Sequence, residues 1–232
     1  MFDVYSDSFL ELVVKYPSPY KLSLRSKKEL TGFFQKIDYC GLHKAQRQAI
    51  LISEYFKTVE IPVAENDQLI DILSCHVRQL KNLLEENEHI LEQIVSLGTK
   101  TKEYPYLLSI PGITKSSAAR IAAEIGGIER FQDSSKFVAY AGIDPIVNSS
   151  GTRTGEHLPI TKKGNQRLRN LLYLVVTGTS KSAAPGNPIR DFVTKKKSDG
   201  LAPKVAIIAG CNKLARIIYA VCSNKEMFIA NR

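Results

Sequence analysis

Residues 70–94 constrain this chain more than any other segment. Ile70, Leu73, Val77, Leu80, Leu84, Asn87, Leu91 and Ile94 alternate spacings of three and four, which is a heptad seam and commits the segment to one long helix. A helix with an apolar stripe of that length must cover it, either against a second copy of itself or against the chain's own core. Intermolecular pairing predicts a homodimer through residues 66–97, with Asn87 as the one polar seam position setting the register. An amphipathic helix folded back on its own core is the alternative.

The flanking sequence is also helical. Phe9, Leu10, Leu12, Val13 and Val14 precede the stop at Tyr16-Pro17-Ser18-Pro19, and Ser26-Lys27-Lys28-Glu29 is a capping box opening a helix to about Ile37. A further helix is predicted from His43 to Phe56. Leu108-Ser109-Ile110-Pro111-Gly112-Ile113-Thr114 leads into Lys115–Ile125, whose Ala118, Ala119, Ala122 and Ala123 allow close helix approach. This has the form of a helix-hairpin-helix, in which Pro111, Gly112, Ile113 and Lys115 would hold a phosphate at a helix start. An ordinary turn between two helices is the plainer reading. Residues 146–163 are polar and glycine-bearing, a loop or twisted hairpin. A helix opens near Asn165, a loop holds Pro185, Pro188 and Lys195-Lys196-Lys197, and a last helix runs from about Lys204 to Ser223. The fold class expected is mainly α: a helical unit at 1–62, a coiled-coil-like helix at 63–104, and a helical domain at 105–232 with a small loop or β-hairpin insertion, the helix-hairpin-helix falling at about 105–126.

Charge separates the ends of the chain. Residues 1–147 hold 17 Lys and Arg against 19 Asp and Glu, a net of −2, whereas residues 148–232 hold 15 against 4, a net of +11. A basic excess in one third of a chain is the footprint of a surface that meets phosphates. Cys40, Cys75, Cys211 and Cys222 lack metal-ligand spacing, and His43, His76, His89 and His157 do not cluster, so neither disulfides nor zinc are expected. No apolar run approaches the roughly 18 residues of a membrane span, and the first residues lack a basic leader, which predicts a cytoplasmic protein with no membrane partner.

Several motifs occur together in one order: Leu108–Ile113; Phe137-Val138-Ala139-Tyr140-Ala141-Gly142-Ile143-Asp144-Pro145; Ser149-Ser150-Gly151; Lys163-Gly164-Asn165 with Arg167, Leu168 and Arg169; and Lys213–Tyr219. Over about residues 105–225 this series resembles the C-terminal half of the IS-one-ten insertion-sequence transposases, relatives of Piv-type DNA invertases. The resemblance implies a recombinase with a composite site: a RuvC-like domain whose carboxylates hold divalent metal (Mg), a coiled coil for dimerisation, and a C-terminal domain supplying a nucleophilic serine. It implies DNA as partner and a structured guide RNA that pairs with target and donor DNA. By motif the serine is Ser150, with Ser149 the alternate. Gly151 would admit the DNA backbone, and Arg153, Lys162, Lys163, Asn165, Arg167, Arg169, Lys195, Lys196 and Lys197 would meet phosphates. His157 is a candidate proton shuttle. No metal ligands are assigned in this chain. Asp3, Asp7 and Glu11 share one helical face but sit in no strand, so the RuvC-like half is expected in trans. The function expected is a transposase portion that binds DNA and supplies the serine for strand cleavage and exchange. The alternatives are a non-catalytic helix-hairpin-helix DNA-binding remnant and a helical adaptor whose basic face docks on acidic protein.

Overall fold

A computed structural model describes residues 6–37, 41–59, 68–145, 160–181 and 186–229. It is mainly α, with no strand among the described residues. The chain forms two compact units, Met1–His89 and Ile90–Arg232, and one long helix runs from the first into the second.

In the first unit, α1 (Asp7–Lys15), α2 (Pro19–Ser23), α3 (Lys27–Ile37) and α4 (Leu42–Thr58) follow local signals closely. The Ser26 backbone N–H donates to Glu29 Oε2 at 2.9 Å and the Glu29 N–H donates to Ser26 Oγ at 3.2 Å, which completes the capping box. The Ser26 N–H, joined by the Ser26 hydroxyl donating to the same oxygen at 3.0 Å, holds the Glu29 carboxyl below its usual range. Leu12, Leu30, Phe33, Phe34, Ala45 and Ala49 close the small core between these helices.

The long helix α5 spans Gln68–Gly98. Val77 is buried and Ile70, Leu80, Leu84, Leu91 and Ile94 are half-buried within the chain, whereas Leu73 is exposed. Near Val77, Lys81 Nζ on α5 pairs with Glu11 Oε1 on α1. The predicted seam is therefore partly covered by the chain's own packing. The row beside it is open: Leu83, Ile90 and Leu97, seven residues apart, are 61%, 45% and 64% exposed. Asn87 is exposed rather than enclosed.

The second unit packs α6 (Tyr104–Leu108), α7 (Lys115–Ile125), α8 (Ser134–Ala141), α9 (Gln166–Lys181), α10 (Pro188–Ser198) and α11 (Pro203–Asn224) around one core. Ala118, Ala119 and Ala122 of α7 are buried, and Gly98 at the end of α5 lies against Ala119 so closely that a side chain there would meet its Cβ. Lys195, Lys196 and Lys197 belong to a helix and not to the expected loop. Asn187 caps α10, accepting from the Ile189 N–H at 2.9 Å, and Pro188 fills the first-turn position where a missing N–H costs nothing. The three lysines form its last turn, facing the negative end of the helix dipole.

The helix α11 is the one described helix long and apolar enough by length and composition to cross a membrane, with a mean hydropathy of 1.6 over 18 residues, although Asn212, Lys213 and Arg216 interrupt its apolar run. The physical reason is an apolar surface on two sides. One side, including Ile207, Cys211, Leu214, Ile218 and Cys222, is core. The other lines a surface groove.

Burial pushes the Cys211 and Cys222 thiols up to about 12 from 9.0, with the Glu103 carboxylate adding to the effect at Cys222. Both are neutral in the folded and unfolded chain below pH 9, and above it only the unfolded chain gains by ionising them. Stability should therefore fall as pH rises from about 9 towards 12. Denaturant melts at pH 8 and pH 10.5 check this, and Cys211→Ala with Cys222→Ala should flatten the alkaline slope.

Candidate nucleic-acid interface

Two groups of expected contact residues are held at opposite ends of α9. Near its C-terminal end is the turn between α6 and α7. Gly112 has φ of +97° and lies against Thr179, so a side chain there would be strained and would meet the threonine hydroxyl. Asn187 Nδ2 donates to the Pro111 carbonyl at 3.0 Å, and Ser109 Oγ accepts from the Phe228 N–H at 2.9 Å. Thr114 caps α7 by accepting from the Ser117 N–H at 3.2 Å. Lys115 is exposed on the first turn of that helix, while Ile113 is buried beneath it.

At the N-terminal end of α9 is the root of the segment expected to carry the serine. Pro145 and Ile160 form an isolated antiparallel bridge. The Thr161 N–H donates to the Asp144 carbonyl at 3.0 Å, and the Thr161 hydroxyl donates to Asp144 Oδ1 at 2.7 Å. The Lys162 N–H reaches the Gly142 carbonyl at 3.1 Å, and the Asn165 N–H reaches the Tyr140 carbonyl at 2.5 Å. Lys162 takes a left-handed φ of +56°, and both Lys162 and Lys163 are exposed. Residues 146–159, and with them Ser149, Ser150, Gly151, Arg153 and His157, lie outside the described residues.

Three of the polar residues after the root have divergent surroundings. Asn165 Nδ2 donates to Glu124 Oε2 at 2.9 Å and to the Tyr140 hydroxyl at 3.1 Å, and its Oδ1 accepts from the Leu168 N–H at 3.0 Å. It caps α9 and ties it to α7 and α8. Arg169 Nη1 donates to the Ala141 carbonyl at 3.0 Å. Both side chains hold the scaffold. Arg167 is 86% exposed, its guanidinium 3.9 Å from Glu124 Oε1, and offers its charge to solvent.

Lys195 and Lys197 are exposed, whereas Lys196 is half-buried with Nζ 5.7 Å from the Phe192 ring centroid. Sequence reasoning gave no role to Lys213 and Arg216. Lys213 Nζ lies 4.6 Å from the same ring, and Arg216 Nε donates to Asn212 Oδ1 at 2.9 Å. Their signal was present as two cations three apart in the apolar middle of a helix. Among the described residues no three His, Cys, Asp or Glu side chains come together as a metal-holding group.

Residues 104–192, from the start of α6 into α10, match the family described as Transposase IS116/IS110/IS902. Over this stretch the chain is similar to that transposase family. Related proteins include the "Insertion element IS116 uncharacterized 44.8 kDa protein" of Streptomyces clavuligerus, 22% identical over 94% of this chain and 53% of the relative. The pilin gene-inverting protein of Moraxella bovis is 27% identical over 66% of this chain and 47% of its own length. The transposase for insertion sequence element IS1111A of Coxiella burnetii is 26% identical over 68% of this chain and 43% of its own. The chain thus spans about half the length of the curated relatives it matches. The matched stretch contains both the α6–α7 turn and the root of residues 146–159.

Proposed function

We propose that this chain is the serine-bearing, DNA-binding portion of an insertion-sequence transposase. The observation that carries the reading is the root: inside the stretch similar to the transposase family, residues 142–145 and 160–165 clamp both ends of a polar segment and leave Lys162, Lys163 and Arg167 exposed beside it. A nucleophile carried between those two ends has cations at hand for the charge that develops on the phosphoryl oxygens. Ser150, with Ser149 as alternate, supplies the hydroxyl. Its Oγ loses a proton and bonds to the scissile phosphorus as the bond from phosphorus to one sugar oxygen breaks and that oxygen takes up a proton. One phosphate ester replaces another, so the strand can be rejoined without an outside energy source.

Phosphates meet the protein at both ends of α9. Fourteen residues separate Asn165 from Thr179, about 20 Å along the axis, which is on the order of six base pairs. The α6–α7 turn, with Pro111, Gly112, Ile113 and Lys115, would hold one position as a helix-hairpin-helix, and Lys162, Lys163 and Arg167 the other. The described residues hold no group of side chains fit for a divalent metal, and the reading assigns the metal carboxylates to a RuvC-like half that these residues do not include, with a guide RNA as a further partner. Relatives named as transposases and as a pilin gene-inverting protein support the strand-exchange class.

The test is covalent capture. The chain, with a RuvC-like half from a full-length relative, is incubated with labelled element-end DNA and divalent metal, then denatured and resolved on a gel. A labelled protein band is expected, lost in Ser150→Ala while duplex affinity changes less than about threefold. A band retained in both Ser150→Ala and Ser149→Ala refutes the nucleophile. No band with intact DNA binding, beside a working full-length control, favours the non-catalytic DNA-binding reading.

The reading also includes a homodimer through α5, now centred on the open row Leu83, Ile90 and Leu97. Leu83→Glu with Leu97→Glu is expected to convert a dimer to a monomer in light scattering without lowering helix content, since both side chains are more than half exposed. Equal masses for wild type and variant would remove the row from the interface.

A further inference from the structure

A groove of about 680 Å³ opens beside the root of residues 146–159. Ile143, Pro145 and Ile160 form one wall, and Phe192 of α10 with the outward side of α11 forms the other. On α11 the lining residues run from Val205 to Ala220 at spacings of three and four, a single stripe about 22 Å long. Its floor is apolar, with Ile208, Ala209 and Ile217 half-buried. Its lining cations are Lys213 and Arg216, and Lys196 lies next to the groove with its Nζ against the Phe192 ring. Among the described residues no carboxylate pairs with any of the three.

An apolar floor about 22 Å long, an aromatic ring and unpaired cations call for a ligand with flat apolar faces and repeated negative charge. Duplex DNA hides its base faces in the stack and offers only phosphates and groove edges. An unpaired strand offers both, and stacking on apolar and aromatic surface with phosphates on Lys and Arg is how such strands are held. We propose that the groove between the loop root and α11 binds an unpaired nucleic-acid strand, its bases against Ile208, Ile217 and Phe192 and its phosphates at Lys213, Arg216 and Lys196. The stripe seats on the order of four nucleotides, the lower end of the range for single-strand modules. This rests on the DNA-binding reading above and adds that the strand beside the serine segment is held unpaired.

Fluorescence anisotropy with the full chain tests it, using a labelled twelve-residue oligo-dT, an oligo-U of equal length and a 20-base-pair duplex. Ile208→Glu is expected to weaken oligo-dT binding at least tenfold and duplex binding less than threefold. Arg216→Gln and Phe192→Leu, which perturb packing little, are expected to weaken oligo-dT at least threefold each, with circular dichroism melts confirming the fold. Parallel losses for oligo-U assign the groove to either backbone, and a loss confined to one probe assigns it to DNA or to RNA. Oligo-dT affinity unchanged in Ile208→Glu and Arg216→Gln overturns the proposal and leaves an acidic amphipathic protein segment as the occupant. Wild-type protein that binds neither strand nor duplex overturns the DNA-binding reading itself.

Discussion

Gly164→Ala is expected to lower stability by about 3 kcal/mol, near the upper range for overpacking, and to abolish the covalent adduct under conditions where wild type forms it. A Cβ at this position would collide with the Tyr140 carbonyl oxygen and stand 2.5 Å from the Gly142 nitrogen and 2.7 Å from the Ala139 carbonyl oxygen. All three neighbours are backbone, so no side chain can swing aside. Relief requires that the 160–165 strand of chain lift away from the C-terminal end of α8. That movement breaks the hydrogen bonds from Lys162 and Asn165 that close the root. For a protein of this size the loss corresponds to roughly 6–12 °C in melting temperature. A variant that melts with wild type and still captures DNA would show that the root tolerates opening.

The second large effect lies at the junction of α5 with α7. Gly98→Leu is expected to cost about 3 kcal/mol, because the new side chain must enter space filled by the backbone and Cβ of Ala119, with Tyr104 next to it at 3.6 Å. Gly32→Ala is the matched control of opposite sign. Gly32 sits inside α3 with nothing within 4 Å of an added Cβ, so alanine should raise stability by about 0.5–1 kcal/mol through helix propensity alone. Urea midpoints at constant slope measure both. A neutral Gly98→Leu would mean that close helix approach is not what Gly98 serves, and a destabilised Gly32→Ala would mean that the space beside Gly32 is not open.

These sites show where the sequence was readable. The capping box at Ser26 and Glu29, the Pro17 stop and the bounds of α4 and α11 are local matters, decided within one helical turn, and they appear as expected. Lys195–Lys197 were misplaced because Pro185 and Pro188 read as breakers, although Asn187-Pro188 is itself a helix start. The heptad spacing between Ile70 and Ile94 established one helix but not which flank faces outward. That choice depends on nonlocal packing such as α1 meeting α5 at Lys81 and Glu11, seventy positions apart. Asn165 and Arg169 carry the right chemistry for phosphates, yet their partners lie 41 and 28 positions away in sequence, and those partners turn them inward. Lys213 and Arg216 were passed over because a helix with so much apolar surface reads as pure core until its second side is found open.

The placement of α11 bears on how the chain is made. This helix touches α6, α8, α9 and α10, and supplies Ile207, Cys211, Leu214, Ala215 and Ile218 to the core. A ribosome delivers it after every helix that it packs against. At about 5–20 residues per second, Leu107, Phe137 and Leu172 wait several seconds with part of their cover unsynthesised. The earlier helices of this unit therefore emerge before their shared core can close, and keep apolar surface uncovered until α11 follows them.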